Sequence, residues 1–144
     1  MWRGRDRRYR TPDAQRLDTL RALGVRAFSA LAYPHKPAMA AWLNEWTTQF
    51  AAEVPECLSS ATFYPEPGMD EQIRTMLERG VDVVKAHLQV GAYDPRNPLL
   101  DRVWGLLAEA GTPVVCHCGS GPQPGQFTGP GPISEDVPGG RPYR

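Results

Sequence analysis

The sequence predicts an α/β fold built on a mostly parallel sheet of about four strands. Three observations carry that prediction. Short β-branched apolar runs alternate with longer segments whose apolar residues recur at helical spacing. The repeat of strand plus helix runs at roughly 30 residues, the size of one βαβ unit, which implies right-handed crossovers between neighbouring parallel strands. The last two apolar runs each end in polar side chains. In parallel α/β folds that end of the strands carries the chemistry, because the βα loops open there.

Each element has its own local cause. Thr11-Pro12-Asp13 offers a hydroxyl N-cap, a proline at the first helical position and an acid in the first turn. Leu17, Leu20 and Leu23 make an apolar stripe, and Gly24 closes the helix. Val25 to Ala32 reads as a strand, followed by the two-proline loop Tyr33 to Pro37. Ala38 to Ala52 reads as a long helix, with Met39, Trp42, Leu43, Trp46 and Phe50 expected in the core. Cys57 to Phe63 is a second strand, and Tyr64 to Gly68 its exit loop. Met69 to Arg79 is a helix with Ile73, Met76 and Leu77 inward, ended by Gly80. Val81 to His87 is the third strand and Gln89 to Pro98 a loop. A helix from about Pro98 to Ala110, capped by Gly111, leads to the fourth strand, Thr112 to His117.

Length and charge bound the rest. The 144 residues suit one domain. Zero formal net charge leaves no electrostatic footprint for nucleic acid. The basic start, MWRGRDRRYR, reads as a solvated, disordered tail over residues 1–10. No stretch approaches a membrane span, and the start lacks the apolar core of a signal peptide, so a cytoplasmic protein is expected. The ordered β/α domain is expected over 11–121. Residues 122–144 are rich in glycine and proline without hydrophobic periodicity, which predicts an irregular tail.

Alternation along the third strand puts Val81, Val83, Lys85 and His87 on one face and Asp82, Val84 and Ala86 on the other. A lysine in an apolar strand is costly unless paired or used. Lys85 therefore reads two ways. It is a functional cation, a carbamylated metal bridge or a positive group for an anionic substrate, or it snorkels to solvent at the strand end. His87 reads as a metal ligand, a substrate contact or a hydrogen-bonded rim histidine. His117 ends a buried strand just before Gly119-Ser120-Gly121. Neutral imidazole there suits a zinc ligand or general base. His35, in the loop YPHKP, falls on the same rim and is a candidate substrate contact. Asp94 reads as a turn starter or helix cap ahead of an acid–base group, and Glu66 in YPEP has the same two readings.

Cys116 and Cys118 flank His117, but C-x-C along a strand points both thiols away from the imidazole. Small packing cysteines are the better reading, and a redox or zinc module on that pair is a separate alternative. No phosphate-binding, dinucleotide, nucleophile-elbow or HExxH motif occurs.

The stretch VDVVKAHLQVGAYDP…LLDRVWGLLAEAGTPVVCHCGSGP resembles the middle of an amidohydrolase-related metal-dependent hydrolase. In that family one strand ends near GVKLHP and a later one ends PVVIHAG; here the patterns are VVKAH and PVVCHCG. LGVRAF, PHKPAMAAWLNEW and ATFYPEPGMDEQIRTMLERGV resemble its earlier βα units. The resemblance covers about Thr11 to Pro132. It implies a TIM-like (β/α)₈ barrel with zinc or another divalent metal at the C-terminal face. His117 would be a metal ligand by the match to PVVIHAG, and Lys85 matches a lysine that bridges metal in some relatives. The implied activity is hydrolysis of an amide, ester or lactone of a small-molecule substrate, or metal-assisted decarboxylation.

The chain departs from the pattern at the first-strand HxH pair and at the last-strand aspartate, neither of which it contains. The expectation is therefore an incomplete barrel from a truncated or frameshifted reading frame, with little or no turnover on its own. An open sheet has uncovered edges, so association, for example as a homo-oligomer, is expected. A non-catalytic α/β binding or oligomerising module is the competing class.

Overall fold

The computed structural model of the protein describes residues 13–117 and 119. Thr11, Pro12, Cys118, Ser120, Gly121 and the segments 1–10 and 122–144 lie outside the described residues. In chain order come α1 (Asp13–Ala22), β1 (Phe28–Ser29), α2 (Ala40–Glu53), β2 (Cys57–Leu58), β3 (Ser60–Thr62) and α3 (Met69–Glu78). β4 (Val83–Ala86), α4 (Leu88–Gly91), a 3₁₀ turn at Pro98–Leu100, α5 (Asp101–Ala110) and β5 (Val114–Cys116) follow.

Every strand pair is parallel and joins neighbours in the chain. β1 pairs with β2, with Phe28 opposite Cys57. β3, β4 and β5 pair in that order, with Thr62 opposite Lys85 and Lys85 opposite Val115. This is the alternating α/β architecture the sequence predicts. It is open: among the described residues the strands do not close into a barrel.

Ser59 alone separates β2 from β3, splitting the expected second strand. The cause is local hydrogen bonding that competes with the ladder. The Ser59 N–H and hydroxyl both donate to the Asp82 carboxylate, at 2.8 and 2.9 Å. The Asp82 N–H donates back to the Ser59 hydroxyl at 3.1 Å.

One face of β3–β5 is packed by α3 and α5. Ala61, Phe63, Val84 and Ala86 meet Ile73, Met76, Val103 and Leu107 in one buried cluster. Phe63, Ile73, Val84, Leu100 and Val103 are all but sealed from solvent. Each such side chain contributes about 1.5–3 kcal/mol by burial. Phe63 and Trp104 also meet in a T-shaped contact, with ring centroids 5.0 Å apart. The Trp104 indole N–H donates to the Pro95 carbonyl at 2.8 Å, so its polar end is satisfied.

Since Val84 and Ala86 face the helices, Lys85 must point to the opposite face. Its register partners Thr62 and Val115 share that face. Val81 differs from expectation: it precedes the strand and joins the helix-side cluster.

α2 corrects a second expectation. Its buried residues are Ala40, Leu43, Asn44 and Thr47, while Trp42 and Trp46 are exposed. The reason is where α2 packs. β1 is too short to cover the edge of β3, and α2 covers it with polar side chains. Asn44 accepts from the Thr62 N–H at 2.7 Å and donates to the Thr62 carbonyl at 3.0 Å. Thr47 donates to the Ser60 carbonyl at 2.7 Å. These bonds replace the ones a neighbouring strand would make, and they require short side chains at the contact. The aromatic stripe is left on the outer side, where Trp46 and Phe50 stack on each other.

α1 forms at the expected place but buries no residue. A bidentate Arg21–Glu56 pair ties it down instead. The expected loop after β4 begins with a helical turn, α4, anchored by fully buried Leu88. No helix among the described residues is long and apolar enough to cross a membrane.

Candidate functional site

Lys85, His87 and His117 come together at the C-terminal ends of β4 and β5. The ladder sets the register. Ala86 lies opposite Cys116, and the His117 N–H extends the pairing by donating to the Ala86 carbonyl at 3.1 Å. His87 and His117 therefore leave the sheet side by side. Their rings stack with centroids 4.1 Å apart and planes 15° from parallel. Tyr33, from the loop after β1, also meets the His87 ring, with centroids 4.5 Å apart.

The two imidazoles are not equivalent. His87 is buried, and its Nδ1 accepts the Val90 N–H at 3.3 Å, capping α4. Accepting at Nδ1 assigns the proton of the neutral ring to Nε2. Burial, with help from the charges of His117 and Lys85, pushes the His87 pKa down to about 4. His87 is thus neutral at ordinary pH. Among the described residues His117 keeps a buried Nε2 with no hydrogen-bond partner. An unpaired buried polar atom at a strand end is a functional signal, because it costs stability unless something meets it.

Lys85 is also buried, at 8% exposure. Among the described residues it forms no ion pair. Its backbone carbonyl is fixed by the Thr62 hydroxyl at 2.8 Å, which locks β4 against β3 directly below the histidines. Behind this rim Gly91 is pressed against Tyr93. A Cβ on Gly91 would stand 2.5 Å from the Tyr93 ring. The Tyr64 hydroxyl donates to the Gly91 carbonyl at 3.1 Å. Burial raises the Tyr93 phenol well above its usual range, so it stays protonated.

Three of the four candidate residues therefore meet. His35 does not join them: it is exposed in the loop, and Tyr33 of the same loop takes the contact with His87. Tyr33 was legible as an aromatic immediately beyond a strand end. Asp94 is a turn residue. It accepts the Arg96 N–H at 2.8 Å, and the Arg96 guanidinium holds its carboxyl below the usual range. Glu66 accepts the Ala38 N–H at 2.7 Å and so fastens two rim loops together. Cys116 packs against the core on the face away from His117, as the alternation predicts.

A divalent ion finds one fitting donor here, the orphaned Nε2 of His117. Stacked imidazoles present their lone pairs side by side rather than toward one point, so His87 does not converge with it. Lysine has no lone pair to give while charged. Among the described residues no three His, Cys, Asp or Glu side chains cluster as a metal group would require. A catalytic zinc takes about three protein ligands.

A family model described as Amidohydrolase matches residues 2–144. No curated protein and no solved structure matches the chain. The family match spans nearly the whole sequence, including the basic head and the Gly/Pro-rich tail. It joins the parallel α/β sheet and the polar strand ends to one lineage: this chain belongs to the amidohydrolase family.

Proposed function

We propose that the rim at Lys85, His87 and His117 is part of a metal-dependent hydrolase site for a small-molecule substrate. The bond broken would belong to an amide, ester or lactone, or the metal would assist a decarboxylation. The observation that carries this reading is the buried Nε2 of His117, unpartnered among the described residues and on the same face as Lys85. A divalent ion held there would act as a Lewis acid and lower the pKa of a bound water. His117 would supply one ligand, and the remaining donors would come from outside the described residues or from a second copy. Lys85 would add a ligand only after carbamylation. Otherwise it offers positive charge to an anionic group on the substrate. Neutral His87 stacks on His117, fixes its ring plane and excludes water from one side. Tyr33 shields His87 in turn.

A panel of lactones, esters, amides and carboxylates tests this, with divalent ions added to the purified chain. Metal-dependent turnover that disappears in His117→Ala is expected. Turnover that survives both a chelator and His117→Ala would refute the metal reading.

The second reading is a non-catalytic binding or oligomerising module. Val115, on the Lys85 face of the outermost strand β5, is 41% exposed, which leaves an apolar surface for another chain. Absence of turnover together with a dimer in solution favours this module.

A further inference from the structure

At the other end of the strands, between α2 and α3, a cavity of about 260 Å³ opens to solvent. Ala51, Ala52, Met76 and Val81 give it an apolar wall, and Arg79 and Asp82 line it with opposite charges. The two charges do not pair with each other. Among the described residues Arg79 pairs only with Glu45, at 3.7 Å and half exposed, a contact of small worth. Asp82 receives the Ser59 N–H and hydroxyl on Oδ2, while Oδ1 accepts no hydrogen bond among the described residues. A cation held by one weak, exposed ion pair and a carboxylate with one oxygen still open thus line one small, largely apolar pocket.

We infer that this cavity binds a small aliphatic zwitterion of the α-amino-acid class. The ammonium of the ligand meets Asp82 Oδ1. Its carboxylate takes the Arg79 guanidinium fork in place of Glu45, since planar bidentate pairing favours arginine. The side chain lies on the alanine, methionine and valine wall. The volume falls just below the usual range of ~300–1,000 Å³ for ligand pockets, which admits a molecule of this size and little more. The pocket sits at the N-terminal ends of β3 and β4, away from the histidine rim. Occupancy would therefore be read as stability, by linkage, and not as chemistry.

Thermal unfolding of the full chain with millimolar L-norvaline tests the inference. The Tm is expected to rise with ligand concentration. Pentanoic acid and pentylamine, each lacking one charge, are expected to bind roughly tenfold more weakly, the loss of one ~1.4 kcal/mol contact. Arg79→Met and the pocket-filling Ala52→Leu should abolish the shift. Asp82→Asn should do the same, and if it unfolds the chain by disturbing Ser59, the other two variants still decide. His117→Ala should leave the shift unchanged, which separates this site from the rim. No Tm change with L-norvaline, an equal change with pentanoic acid, or a shift that survives Arg79→Met would overturn it.

Discussion

The imidazoles of His87 and His117 lie face to face, 4.1 Å between centroids, each on the end of its own parallel strand. Stacking at this distance needs one ring to stay uncharged, since two imidazolium ions would repel across the gap. The buried His87, with Lys85 nearby, is the one held neutral. The neighbour is left with its Nε2 free for a ligand.

That arrangement fixes a pH dependence. His87 has a folded pKa of about 4 against 6.5 when unperturbed. Between those values the unfolded chain binds a proton that the folded chain does not. Stability is therefore full above about pH 6.5, falls as pH drops, and levels off below about pH 4. Solvent screening limits the loss to about 1–2 kcal/mol. Urea unfolding across this window should show the slope in the natural sequence and a much flatter one in His87→Gln. An equal slope in both would remove His87 as its source.

Asn44 stands in for a missing strand by bonding both backbone groups of Thr62. Removing it leaves a buried N–H and a buried carbonyl unpaired. Asn44→Ala should cost about 2–4 kcal/mol. Thr48→Ala, whose hydroxyl bonds only within α2, should cost far less. Equilibrium unfolding measures both, and equal costs would contradict the edge-covering role of α2.

Trp42 and Phe63 should behave oppositely. Trp42 is 63% exposed and Phe63 fully buried. Trp42→Ser is expected to change stability by no more than about 0.5 kcal/mol, and Phe63→Ala to lose about 3–5 kcal/mol. A large loss at Trp42 would mean that the outer face of α2 is covered in solution.

Gly91→Ala tests the packing behind the rim. The added methyl meets the buried Tyr93 ring, which has Phe63 and Tyr64 against it and little room to move. Overpacking of this kind costs about 1–3 kcal/mol. A Tm equal to that of the natural sequence would show that the ring can yield.

Much of this was legible in the residues. The β-branched runs ending in Lys85, His87 and His117 located the strands, their parallel sense and the rim where the two histidines meet. Gly80 and Gly111 located two helix ends, and both adopt the left-handed conformation that glycine permits. The face of α2 was not legible. Helical spacing of Trp42, Trp46 and Phe50 signals an apolar stripe, but only the tertiary contact with β3 decides that Asn44 and Thr47 point inward. The break at Ser59 escaped for a similar reason, since it depends on Asp82 across the sheet. The choice between His35 and Tyr33 turned on loop geometry that two prolines do not determine alone. The donors that the proposed metal would need were not legible, because ligands gather in space and the spacing along the chain singles out His117 alone.

The most direct measurement is divalent-metal stoichiometry. The chain is loaded with zinc, dialysed and analysed for metal, beside His117→Ala, Cys116→Ser and His35→Ala. About one zinc per chain is expected in the natural sequence, kept in Cys116→Ser and His35→Ala and lost in His117→Ala. Zinc that persists in His117→Ala, or that is never retained by any form, would contradict it.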